Sequence, residues 1–186
     1  MTTTDRKPTR LERFRAHRDE FFKSDSRSPL LPEQQAVFEG LSYYPEDPAL
    51  RLEATLNAEE VSQTPVEVDT STTERKTFIP AGTVEIEVEG QSLRLLVYRE
   101  PGRGRYFLPF RDSTSGKETY GAGRYLDPQI TPKDTLIVDF NYAYSPYCAY
   151  GPRWSCPLPP FENWLQVPIR AGEKSFPYSS DELPEE

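Results

Sequence analysis

The hydrophobic pattern changes its period part-way along the chain. At 100° per residue, Leu11, Phe14, Phe21 and Phe22 fall on one stripe, as on the buried face of a helix. Thr9 followed by Glu12 is a capping box, in which a hydroxyl and a carboxylate satisfy the amides that open a helix. A helix is therefore expected over about 9–23. Arg18 lies in the middle of the stripe, where a guanidinium must either reach water or meet a carboxylate. Glu118, Asp139 and Glu162 are the expected partners. A second, short helix fits 32–39, with Pro32 in its first turn and Gly40 as its stop.

From residue 50 the period becomes two. Leu52, Ala54 and Leu56 alternate with polar residues, and so do Val66 and Val68. Val84, Ile86 and Val88 face one way and Glu85, Glu87 and Glu89 the other. Leu93, Leu95 and Val97 return after a tight turn expected on Gly90-Gln91. Further strands are expected at 106–110, 124–127, 135–140 and 165–170. Two helices followed by seven or more short strands predict a mainly β (α+β) fold, a β-barrel or β-sandwich with the helices at one end or edge. The reading is one domain over 1–186, with loose polar ends at 1–8 and 179–186.

Composition sharpens this picture. Hydrophobic content is 35% and there are 19 prolines, but the 11 Tyr, 10 Phe and 2 Trp supply enough buried area for a folded core. The net charge of −8 and the mixing of Arg6–Arg18 with Glu12 and Asp19 speak against a phosphate-facing patch, so no nucleic-acid partner is expected. No stretch has the ~20 apolar residues of a membrane span, and the start has no apolar segment of a secretory signal. No membrane partner is expected, and the cytoplasm is the default compartment.

Candidate chemistry is sparse. Gly116-Lys117-Glu118 lacks the first glycine of a phosphate loop, since position 111 is Arg111. Gly121-Ala122-Gly123 fails as a dinucleotide fingerprint because Leu126 takes the third glycine's place. With two cysteines and one histidine the chain cannot complete four soft ligands, so neither a metal nor a cofactor is expected. Three readings of Cys148 and Cys156 stay open: inert buried thiols, a close pair that oxidises, or a catalytic or metal role.

Three stretches carry a resemblance. The run 107–127 opens Phe107-Leu-Pro-Phe-Arg-Asp and closes Gly121-Ala-Gly-Arg-Tyr-Leu-Asp127. The second is Asp139-Phe-Asn-Tyr-Ala-Tyr-Ser-Pro-Tyr-Cys-Ala-Tyr150, and the third Cys156-Pro-Leu-Pro-Pro-Phe-Glu-Asn163. Together with Arg18-Asp-Glu-Phe-Phe22 and Gly40-Leu-Ser-Tyr-Tyr-Pro45, they make the chain similar to the bacterial and archaeal family of domain of unknown function 1684. The resemblance brings no activity with it. Where that family usually has Asn, this chain has Ser145 and Gly151.

A site is expected where charge, hydroxyls and aromatics meet. Arg111 and Arg124 flank Lys117, Glu118, Thr119 and Tyr120. Asp139 and Asn141 end an apolar strand, at what would be the mouth of the fold. The segment 140–164 then brings eight aromatics and five prolines, which suit a lid or a packed loop. The reading assigns acid–base work to Glu118, Asp139 and Tyr120. It assigns ligand contacts to Arg111, Arg124, Asn141, Tyr144, Tyr147, Trp154, Glu162 and Asn163, around a small anionic or polar molecule. The competing reading is a non-catalytic interaction module that uses exposed aromatics.

Overall fold

A computed structural model describes residues 6–133 and 135–177; the tail expected at 179–186 and most of that at 1–8 lie outside the described residues. The fold is mainly β, with two antiparallel sheets curved into a half-barrel. The expected hairpin is its spine. β3 (Arg75–Val88) buries Val84, Ile86 and Val88 and exposes Glu85 and Glu87, and β4 (Gln91–Arg99) buries Leu95 and Val97 opposite them. The turn sits one residue earlier than expected, on Glu89-Gly90, with φ of 51° and 73°. Two positive φ angles give a turn whose twist matches that of the flanking strands, so Glu89 accepts a conformation that side chains rarely adopt.

The five-stranded sheet runs β2-β3-β4-β5-β6, with β2 (Val66–Asp69), β5 (Tyr106–Phe110) and β6 (Arg124–Leu126). The three-stranded sheet runs β1-β8-β7, from Arg51–Thr55, Thr135–Asp139 and Gln129–Ile130. The sheets meet where Asn57 and Thr83 exchange backbone hydrogen bonds of 2.8 and 3.2 Å. Their inner faces form one apolar core that includes Val84, Leu95, Val97, Leu108, Phe110, Leu136, Val138, Phe140 and Ile169.

The strand expected at 165–170 pairs by its backbone only over its first half, where the Leu165 amide donates to the Arg111 carbonyl at 2.8 Å and the Val167 carbonyl accepts from the Ser113 amide at 3.2 Å. Leu165, Val167 and Ile169 do face inward while Gln166 and Arg170 face out, so the alternation is real. Pro168 has no amide to donate, and beyond it side chains take the main-chain groups. The Ile169 amide donates to the Asp112 carboxylate, and the Ile169 and Ala171 carbonyls accept from Arg124.

The described residues fall into two compact units, divided after Leu41; everything above belongs to the second. In the first, α1 (Arg10–Ser24) begins at the expected capping box on Thr9 and Glu12. α2 (Pro32–Val37) stops at Phe38, two residues before Gly40. Phe22 stacks on Phe38 with ring centroids 6.1 Å apart, and the Arg18 guanidinium lies over the Phe22 ring at 5.1 Å.

Candidate functional site

The expected site residues separate into distinct networks. Arg124 is 0% exposed, within 5.2 Å of the Phe110 ring. Its guanidinium donates to Asp112 at 3.3 Å and to the carbonyls of Ile169, Ala171 and Glu173 at 2.7, 2.5 and 3.1 Å. Burial lowers its pKa, and the Asp112 charge opposes that shift. Asp112 also accepts from the Thr114 hydroxyl at 2.7 Å. Glu173 is bonded by the Tyr150 hydroxyl. This clamp pins the returning segment to the sheet.

Glu118 lies at the rim, accepting from Arg170 at 3.0 Å and from the Tyr44 hydroxyl at 2.9 Å. Those bonds, Arg170's foremost, hold its carboxyl below the usual range and keep it ionised. Asp139 caps the short helical turn Phe140–Tyr142 and accepts from the Asn141 amide at 2.9 Å. Asn141 in turn exchanges two 2.8 Å bonds with the backbone of Asp47. Asn163, fully buried, bonds Leu96 on β4 and the Pro109 carbonyl on β5. The two terminal nitrogens of Arg124, and the side chains of Asp139 and Asn163, are thus bonded within the chain, while Arg124 Nε is buried without a partner among the described residues. Tyr120 belongs to another cluster.

That cluster forms where the 140–164 segment folds back. Tyr144 pairs its backbone with Tyr125 at 2.8 and 2.9 Å and gives its hydroxyl to Asp127. Tyr147 meets Trp154 edge-on at 5.1 Å. The ends of the intervening loop are joined by the two thiols: the Cys148 amide donates to Cys156 Sγ at 3.2 Å, and the Tyr120 hydroxyl reaches Cys148 Sγ at 3.5 Å. Cys148 is half-buried and Cys156 buried, both against Phe78, Tyr98, Phe107 and Tyr125. Hydrogen bonding from the Cys156 thiol, helped by Tyr120, brings Cys148 down to about 6, although burial opposes it. The same pairing pushes Cys156 up, so one proton stays on Cys156 while Cys148 ionises first. Among the described residues no three His, Cys, Asp or Glu side chains are grouped as metal ligands.

Beside this cluster runs a groove of about 550 Å³. One wall is β2, together with Pro80, Leu96 and Tyr98; the other is the run from Leu158 to Phe161 with Trp164. Leu158 donates to the Asp69 carbonyl and Ser71 to the Cys156 carbonyl, so this run begins as a neighbour of the edge strand. Pro159 and Pro160 have no amide hydrogen and cannot continue the ladder. In an antiparallel strand alternate residues turn their backbone groups the same way. Asp69 and Ser71 face outward, so Glu67 does too, and its N–H and C=O open into the groove. Phe161, 79% exposed, and Trp164, 40% exposed, form the lip with ring centroids 4.6 Å apart. Arg111 stacks 4.4 Å over the Trp164 ring and so braces the lip. Glu162 is exposed beside it and, after burial, is the second cause that raises the Tyr98 hydroxyl to about 12.

The family model for proteins of unknown function DUF1684 matches residues 36–174. The chain belongs to this family. An uncharacterised protein of Haloarcula marismortui, solved by solution NMR, is 38% identical, with a TM-score of 0.69 over 88% of this chain and 91% of that one. No curated protein matches. Of the two positions where Asn is expected from the resemblance, Gly151 has open space around its Cα, whereas Ser145 is buried with no partner for its hydroxyl among the described residues. Asp112, Glu173 and the Glu67 edge went unmarked in the sequence. Asp112 and Glu173 look like any surface carboxylate there, and the three prolines at 157, 159 and 160 were the available sign that a strand edge would be left uncovered.

Proposed function

We propose that this protein is a non-catalytic binding module whose groove takes an extended peptide alternating apolar and basic residues. The observation that carries the reading is the outward-facing backbone of Glu67 in an apolar groove whose opposite wall is proline. An added strand would satisfy those groups, which is how sheet edges recognise peptides. Register then sets the chemistry of the partner. Residues opposite Val66 and Val68 join the side of the sheet where Val68 packs with Phe78 and Tyr98. The residue opposite Glu67 joins the face that carries Glu67, beside an Asp69 already paired with Arg75 at 2.9 Å, and there Glu67 favours a cation and repels a carboxylate. The same repulsion disfavours a second copy, whose own β2 would bring Glu67 and Asp69 to that face.

A short capped peptide alternating lysine and valine tests this. It should perturb the Glu67 amide saturably in NMR spectra, and methylation of the peptide amides that face β2 should abolish the effect. Phe161→Ala, at a position too exposed to matter for folding, should weaken binding roughly tenfold, about 1.4 kcal/mol. Binding of small apolar probes without any peptide response would instead make the groove a small-molecule pocket. A dimer with slow exchange at Glu67 in the free protein would make a second copy the occupant.

A further inference from the structure

We propose that Cys148 and Cys156 form a redox-active dithiol that a hydroperoxide oxidises to an intramolecular disulfide. The site is independent of the groove reading. The two are the only cysteines of the chain, so no third thiol competes for either. They stand eight positions apart, yet the fold brings them together: the Cys148 amide donates to Cys156 Sγ at 3.2 Å. Their surroundings divide the roles. Cys148 is half-buried at the start of a surface loop that includes the exposed Pro152 and Arg153, so an oxidant can reach it. Cys156 is buried beneath it, held through its amide by Ser71 Oγ at 3.1 Å and through its carbonyl by the Ser71 amide at 2.8 Å. Cys148 is therefore the attacking sulfur and Cys156 the resolving one.

Among the described residues, the titratable groups around the pair are Tyr120, Tyr125 and Lys76, with Tyr98 and Tyr144 in the same cluster. Tyr120 donates to Cys148, and Lys76 favours the ionised form of Cys156. None of them is a carboxylate, so among the described residues no carboxylate is a cause of either thiol's shift. Cys148 is the first to ionise, since its pKa is lowered to about 6, chiefly by its hydrogen bond with Cys156.

The step balances with hydroperoxide as the named oxidant. The Cys148 thiolate attacks the outer peroxide oxygen; an S–O bond forms, the O–O bond breaks, and the alkoxide takes a proton from solvent and leaves as the alcohol. The product is a sulfenic acid. Cys156 then gives up its proton and attacks Cys148 Sγ. An S–S bond forms, the S–O bond breaks, and the departing hydroxide takes a proton and leaves as water. The two sulfurs together lose two electrons, and the peroxide gains them. A dithiol reductant reverses the change by thiol–disulfide exchange.

The test uses the full chain, reduced, with hydrogen peroxide as the probe. One equivalent should remove both free thiols and lower the intact mass by about 2 Da, the loss of two hydrogens, without forming a covalent dimer. Cys156→Ser should stop at the sulfenic acid, trapped by dimedone on Cys148, and Cys148→Ser should leave Cys156 unoxidised. The unmutated protein supplies a second measurement should either variant misfold. Alkylation of native Cys148 should rise with pH about a midpoint near 6 instead of the ordinary 9. At pH 7 it should run roughly severalfold faster than for a free cysteine, the larger thiolate fraction being partly offset by weaker nucleophilicity. Thiols that survive excess peroxide, a sulfinic acid as the main product, or an alkylation midpoint near 9 would overturn the assignment.

Discussion

Arg124 shows how far a residue's role depends on what surrounds it. Read along the chain, it is a cation beside glycines and hydroxyls, suited to a ligand. In the fold it is 0% exposed and its two terminal nitrogens donate to Asp112 and three carbonyls. Its acceptors lie 12 to 49 positions away in sequence, which no local pattern reveals. All three residues of β6 are buried, so strand alternation could not say which way Arg124 pointed. Making a buried ion pair brings little net stability because desolvation offsets the attraction, but removing one partner leaves a bare charge. Asp112→Ala should therefore cost about 3–5 kcal/mol in urea unfolding, since Ile169 N–H and the Thr114 hydroxyl lose their acceptor as well. Asp69→Ala, which breaks the exposed pair with Arg75, should cost less than about 1 kcal/mol. Equal costs for the two would mean that the clamp does not hold the returning segment.

Among the elements, β3 is the one that joins the two sheets, and its geometry turns on Gly82. The register with β4 slips between Pro80 and Gly82, and this extra residue lets the strand bend across both sheets. At Gly82 the backbone comes so close to the neighbouring chain that a Cβ would stand 2.8 Å from Leu56 Cδ1 and 2.9 Å from the Asn57 carbonyl. Alternation made β1, β4 and the second half of β3 legible from sequence, because each buries one face only. It also marked the inward residues of 165–170, and there it named the faces correctly while missing that side chains replace backbone pairing after Pro168. The first half of β3 and the two-residue β7 carry no alternation and were not legible. Gly82→Ala should destabilise by about 1–3 kcal/mol, the cost of forcing atoms into a packed site. Gly151→Ala, with nothing within 4 Å of the added carbon, should stay within about 0.5 kcal/mol. A thermal melt of both proteins checks this, and a silent Gly82→Ala would remove the bulge as the hinge of β3.

At the scale of the whole molecule the dominant fact is charge. The chain carries −8 at pH 7 with a pI near 4.9, and the groove adds Glu67 at the place where a basic peptide would dock, Asp69 being already paired with Arg75. Fields of this kind act on encounter more than on the bound state, because the partner feels the summed charge before any contact forms. Salt removes that reach: the screening length falls from about 30 Å at 0.01 M to about 8 Å at 0.15 M. The association rate of a lysine–valine peptide should therefore fall roughly tenfold over that range, while its dissociation rate, set by backbone pairing and apolar contact, changes less than about twofold. Lowering the pH from 7 toward 4.9 should slow association in the same way, because the steering charge disappears as carboxylates protonate. A peptide alternating glutamate and valine should show the opposite trend, binding faster as salt rises. Stopped-flow measurement of both rate constants decides the matter: a salt effect carried by dissociation would place the cation in direct, desolvated contact with Glu67 or Asp69 and would leave the net charge of the molecule without a part in recognition.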